Sequence, residues 1–321
     1  MKKNELSLSL YRKMYLIRRA EEKICAHYGE DEIKNPVHLS IGEEAIAAGV
    51  CHALGRDDKI FGTYRAHGHY LARTGDTDKF FGELFGKVTG IVKGKAGSMH
   101  LSAPGAGLMG TSAIVGSAIP LAVGAAFADR QMKHASRCTA AFFGDGAIDE
   151  GVFWESVNAA SLMKLPVLFV CEDNGFAVHT PASARHGYRS IGDIVSKFDC
   201  EVLKSSTTDV ELVYRLTKKA IAFMKRNRRP CFLHLRYYRY MEHVGVNQDF
   251  NAGYRPKKEF DRWRRKDPVL LQRKRILRKG VREERVLALE KKIDDQIKRS
   301  FQKARKALFP ASCELFTGVY G

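Results

Sequence analysis

Two short polar pieces stand where apolar runs end: Gly144-Asp145-Gly146 after residues 139–143, and Asp173-Asn174 after residues 167–171. A carboxylate, a side-chain carbonyl and one backbone carbonyl just beyond them are the oxygen donors a magnesium ion takes from protein, with phosphate and water completing its octahedron. Glycines on both sides of Asp145 let the backbone approach a bulky anion. The pair therefore reads as a magnesium diphosphate site. Gly-Asp-Gly alone also makes any tight strand-to-helix turn, so the spacing to Asn174 carries the reading.

For the two pieces to meet, residues 139–143 and 167–171 must be buried strands, and residues 149–164 the helix between them, with Asp149 placed to cap it. Such a βαβ unit makes the strands parallel and puts both polar ends on one rim, where open α/β sheets collect ligands. Upstream, residues 6–29 are helical by pattern and residues 38–45 open a second helix toward Leu54. Residues 61–69 read as a strand running into a loop. Residues 93–101 form a glycine-rich loop able to lie over a ligand. The apolar stretch 113–128 is broken by Gly116, Ser117, Pro120 and Gly124, which suits a buried loop and helix better than a membrane span. Strands alternate with helices through Tyr237, so the expected fold class is α/β, a doubly wound, mostly parallel sheet flanked by helices. Residues 1–255 would form the diphosphate-binding domain with its amino-terminal helices, and residues 256–321 a helical tail packed on it.

The 321 residues are 45% hydrophobic, ample for a sizeable core. Seven scattered cysteines without a Cys-x-x-Cys pair argue against a disulfide framework or a structural zinc site, and fit a reducing cytoplasm. The first residues lack the apolar core of a signal peptide. Of the net charge of +18, roughly +13 lies between Arg255 and Lys306, with about 21 Lys and Arg against about 8 Asp and Glu. No aromatic ladder or RNA-binding motif accompanies that run, which speaks against nucleic acid. Apolar residues from Val286 to Leu308 recur at three and four, so residues 281–308 form an amphipathic helix with a solvated basic face; an acidic protein partner is the alternative.

Several stretches go beyond generic patterns: His38-Leu39-Ser40-Ile41-Gly42-Glu43-Glu44-Ala45, Tyr64-Arg65-Ala66-His67-Gly68, Gly97-Ser98-Met99-His100, Ile114-Val115-Gly116, Gly144-Asp145-Gly146-Ala147 and Glu172-Asp173-Asn174-Gly175. In this order, over nearly the entire chain, they resemble the alpha subunit of the thiamine diphosphate-dependent component of 2-oxo acid dehydrogenases, of the pyruvate or acetoin type.

The resemblance implies thiamine diphosphate and Mg2+ as cofactors. Tyr64 and Arg65 would hold the diphosphate, and Gly146 and Ala147 would offer it backbone N–H groups. Asp145, Asn174 and the Phe176 carbonyl would bind the metal. Ile114 and Val115 would pack under the cofactor rings. His243, in a loop over the cofactor, would transfer protons and also contact the cofactor, while His38 would meet the substrate carboxylate or carbonyl. His67, His69 and His100 read as structural groups or supports. Departures from the family pattern are Asp173 for an Asn, Phe176 for a Tyr, Ala113 for a Gly, and Val244 where mammalian pyruvate enzymes carry a regulatory serine. The glutamate that activates the cofactor belongs, in this family, to a separate beta chain, so the resemblance implies an α2β2 heterotetramer active only with that partner. The expected activity is oxidative decarboxylation of a pyruvate-like 2-oxo acid with acyl transfer to lipoamide, on a lipoyl acyltransferase core. An acetoin dehydrogenase, or a lyase or carboligase without lipoamide, is the alternative.

Overall fold

The structure is a computed structural model describing residues 3–134 and 137–318. Six strands form one sheet: β1 (Lys59–Thr63), β2 (Leu108–Ser112), β3 (Thr139–Gly144), β4 (Val167–Asp173), β7 (Glu201–Ser205) and β8 (Cys231–Arg236). A small antiparallel hairpin, β5 (Phe176–Ala177) and β6 (Thr180–Pro181), stands apart. The sheet order is β2-β1-β3-β4-β8-β7 and every pair is parallel. The central strands are buried nearly throughout, as a parallel sheet covered on both faces requires. Their side chains alternate between two cores: Leu168 and Val170 of β4 face one, Val167, Phe169 and Cys171 the other.

The first core packs against α1 (Lys3–His27), α2 (Glu44–Ala53), α3 (His67–Thr74), α4 (Thr77–Leu84), α8 (Val210–Asn227) and α11 (Glu283–Lys306). The second packs against α5 (Ala118–Gln131), α6 (Gly151–Leu162) and α7 (Ile191–Val195). Two further helices, α9 (Lys257–Arg264) and α10 (Pro268–Arg278), lead into α11. On α11, Val286, Ile293, Ile297, Phe301 and Ala304 are buried, while the basic residues stay on the outer side. Arg18 of α1 ties these elements together: its guanidinium donates to Glu44 at 2.5 Å and to Asp267, just before α10, at 3.0 Å, all three groups being buried.

Four expectations are corrected. Residues 145–149 form a separate 3-10 turn before α6, and Asp149 does not cap that helix; the residue before it is Glu150, whose side chain makes no cap bond. The Asp149 carboxylate instead meets Arg185 and His186. Residues 61–69 are strand to Thr63 and loop over 64–66 as expected, but their last three residues are helical, because α3 begins at His67. The glycine-rich loop does not cover a ligand cavity: the buried Glu83 carboxylate gathers the backbone N–H groups of Val92, Gly94, Ala96 and Gly97. Lastly, α5 is buried on one side only, with Leu121, Gly124, Phe127 and Ala128 exposed on the other.

Candidate active site

The order in which strands are added to the sheet reverses between β1 and β3, since β2 lies on one side of β1 and all later strands of the sheet on the other. The carboxyl ends flanking such a switch point form the crevice where α/β sheets hold ligands. Tyr64 and Arg65 follow β1 there, and Asp145 follows β3. The register Gly144↔Glu172 brings Asp173 and Asn174, at the end of β4, level with Asp145. A cavity of about 300 Å³ opens at this rim. Tyr64, Arg65, Val115, Asp145, Gly146, Ala147, Asn174, Phe176 and His243 all line it. Ile114 and His38 do not; Ile114 is 70% exposed, and the His38 ring lies 4.4 Å from that of Tyr64. A second hollow, of about 270 Å³, lies beside Arg130, Arg137 and Lys164 at the other end of the strands, where cations balance the carboxyl ends of α5 and α6. None of the candidate site residues lines it.

Asp145 is buried. One of its oxygens, Oδ2, accepts from Arg185 at 2.5 Å, and the other, Oδ1, has no partner among the described residues. Burial, and then the neighbouring Asp173, push its carboxyl above the usual range, while Arg185 pulls it back. Asn174 Oδ1 accepts from the Phe176 N–H at 3.0 Å, and its Nδ2 donates to the Tyr237 hydroxyl at 3.0 Å, which fixes the amide with its oxygen toward the hairpin. Asp173 serves the turn: Oδ1 accepts from Gly175 N–H at 2.8 Å and Oδ2 bonds His234 at 2.7 Å. Gly175, at φ +83°, takes a conformation that side chains rarely adopt. A buried carboxylate oxygen without a hydrogen bond and an oriented amide at the same rim are oxygen donors of the kind that could hold a hard cation drawing its remaining ligands from phosphate.

Arg65 is spent differently from a free phosphate grip. Its Nη1 donates to the Leu39 carbonyl at 2.7 Å and its Nη2 to the His243 carbonyl at 3.1 Å, so it joins the His38 segment to the His243 loop while still lining the cavity. That loop also closes on itself. Arg255 donates to the carbonyls of Arg239 and Met241, at 2.6 and 2.8 Å, and Asn247 N–H donates to Glu242 at 2.9 Å. Burial, followed by the positive field of Arg65, lowers both His38 and His243 to about 3, so both imidazoles are neutral. Arg65 Nη2 faces His243 Nδ1 at 3.4 Å, which leaves the proton on Nε2. His38 Nδ1 has no partner among the described residues. His67 is held by Glu21 and Ser98, His69 by Glu172, and His100 is exposed.

Four polar groups here went unnoticed in the sequence. Arg239 is 2% exposed, and two of its nitrogens, Nε and Nη1, have no partner among the described residues. Its third nitrogen, Nη2, donates to the Tyr254 hydroxyl at 2.7 Å and lies 3.8 Å from an Asp249 carboxylate oxygen. Glu43 is buried with Oε1 3.9 Å from Arg65 Nε and no hydrogen bond to either oxygen among the described residues, and burial, then Glu172, push it well above the carboxylate range. Glu172 and Tyr237 line the cavity. The Tyr-Arg-Tyr run around Arg239 was a sequence signal for a functional arginine; nothing local marked Glu43.

The family description "Dehydrogenase E1 component" matches residues 12–313. Over 315 residues the chain is 36% identical to the pyruvate dehydrogenase E1 component subunit alpha of Zymomonas mobilis, covering 97% of this chain and 88% of that one. It is 33% identical over 318 residues to the alpha subunit of the acetoin:2,6-dichlorophenolindophenol oxidoreductase of Bacillus subtilis, covering 98% and 94%. A pyruvate dehydrogenase alpha subunit from Rickettsia conorii is 31% identical, covering 97% and 94%. Matched along nearly its whole length, and carrying the motifs in the expected order, the chain belongs to the dehydrogenase E1 component family.

Proposed function

We propose that this chain is the alpha subunit of a thiamine diphosphate-dependent 2-oxo acid dehydrogenase, holding the magnesium diphosphate end of the cofactor. The observation that carries the reading is the convergence of Asp145, Asn174, Arg65 and His243 on one cavity at the switch point of the sheet. When bound, thiamine diphosphate supplies the nucleophilic carbon and the electron sink for decarboxylation of a 2-oxo acid. Asp145 Oδ1, the Asn174 side-chain oxygen and the Phe176 carbonyl are the metal donors. Arg65, Tyr64 and the N–H groups of Gly146 and Ala147 receive the diphosphate. Val115 and Ile114 offer apolar surface to the rings. His243 Nε2–H is a hydrogen-bond donor for an oxygen that gains negative charge, and His38 Nδ1 is a free acceptor for a proton at the substrate side.

A beta partner supplying the missing carboxylate fits the surface. Ile114 (70% exposed) and Val115 (44%), just before α5, with Leu121 (56%) in its first turns, leave apolar side chains in water on the cavity side of that helix. A partner covering them in an α2β2 assembly would reach the cavity at Val115, which lines it. Acyl transfer to lipoamide on a lipoyl acyltransferase core, in the cytoplasm, completes the reading. Seven free cysteines agree with a reducing compartment, and no described helix is long and apolar enough to cross a membrane. The relative from Bacillus subtilis favours acetoin cleavage as a second reading. Reconstitution with the beta partner, thiamine diphosphate and Mg2+, followed by a screen of 2-oxo acids and acetoin against an artificial electron acceptor, separates them. Turnover of acetoin alone selects the second reading, and no turnover of any of them rejects both.

A further inference from the structure

Arg185 follows the β5–β6 hairpin, and neither its type nor its position marks it in the sequence as a site residue. Its side chain is 10% exposed and bridges two carboxylates: Nη2 donates to Asp145 Oδ2 at 2.5 Å and Nη1 to Asp149. Nε donates to the Thr180 carbonyl at 3.3 Å, which anchors the guanidinium to its own hairpin. Asp145 and Asp149 both line the cavity, whereas Arg185 does not. The guanidinium is thus not part of the cavity wall that the two carboxylates form.

Three facts converge. The planar fork fixes the rotation of the Asp145 carboxylate, because one of its oxygens is committed to Arg185. The other, Oδ1, is buried and without a partner among the described residues. Asp149, which adjoins the expected diphosphate-binding turn, is held by the same side chain and by His186 at 3.1 Å. We propose that Arg185 is a positioning residue for the metal centre, committing Asp145 Oδ2 so that Oδ1 alone faces the magnesium, and locking the 176–188 segment to the diphosphate turn. This rests on the assignment of Asp145 as a metal ligand. Groups bonded to the ligands of a metal fix ligand orientation, and their loss typically weakens metal binding about 10- to 100-fold. A guanidinium standing in the metal's place would do the opposite, since its removal would vacate the position.

The test is a titration of Mg2+ into the full chain at a fixed thiamine diphosphate concentration, reading bound cofactor by calorimetry and fold integrity by thermal unfolding. The wild-type chain binds the cofactor only with Mg2+. Arg185→Ala raises the half-saturating Mg2+ concentration by about 10- to 100-fold with the same final cofactor stoichiometry, and Arg185→Gln, which keeps one N–H donor near Asp145, falls between. Should the alanine variant not fold, the glutamine variant decides. Half-saturation unchanged or lowered in the variants, while wild-type binding depends on Mg2+, overturns the positioning role and leaves the metal assignment standing. Wild-type binding indifferent to Mg2+ overturns the metal assignment, and this role with it.

Discussion

His38 and His243 meet edge to face with ring centroids 5.3 Å apart, and the Gly245 N–H donates to the Val37 carbonyl at 2.9 Å, so the loop is stitched to the amino-terminal segment at the cavity. Burial keeps both rings neutral, with Arg65 reinforcing the effect. A histidine whose folded value lies below its unfolded one binds fewer protons when folded. Its contribution to stability is therefore intact above about 6.5 and is lost as pH falls toward about 3. Urea midpoints should drop on going from pH 7.5 to 5, and His38→Asn and His243→Asn should each flatten that drop. Parallel slopes in wild type and variants would refute neutral, buried imidazoles.

Asp145→Ala removes the metal donor and leaves Arg185 with Asp149 as its remaining carboxylate partner. The fold should persist, because the second core beside β3 is apolar. Magnesium-dependent cofactor binding should fall at least about 100-fold, read by calorimetry. Undiminished affinity would remove Asp145 from the metal site.

That Asp145 and Asn174 meet on one rim was legible because a strand-helix-strand spacing puts two strand ends side by side, and the register Gly144↔Glu172 realises it. The family resemblance, borne by ordered motifs, agrees with the match over residues 12–313. Arg185 and Glu43 stayed invisible because their partners are set by long-range packing: Arg185 reaches back to Asp145, and Glu43 lies near Arg65 and Glu172. The exposed side of α5 was misread because apolar residues that wait for another surface look, in sequence, like core. Glu83 was missed for the same reason as Arg185, since its role is to collect amides from a loop that lacks secondary structure.

Arg18 couples α1 to α2 and to the start of α10 through two buried carboxylates. Removing the cation strands both anions, so Arg18→Ala should cost about 3–5 kcal/mol in urea unfolding. Replacing all three residues with apolar side chains of similar volume should cost far less. A loss below about 1 kcal/mol for the single variant would show that the carboxylates find other partners.

Leu121 lies on the exposed side of α5. Leu121→Glu should leave the thermal midpoint of the isolated chain within a degree or two while abolishing co-purification with a beta partner, because a charge would be buried at the contact. Retained association would place the partner elsewhere.

The cavity at the β1–β3 switch point as the seat of magnesium thiamine diphosphate is tested most directly by calorimetric titration of thiamine diphosphate into the chain with its partner, with and without Mg2+. The expected result is saturable binding, one cofactor per cavity, that vanishes when Mg2+ is withheld and in Asp145→Ala. Absence of binding, or binding indifferent to both the metal and Asp145, would contradict it.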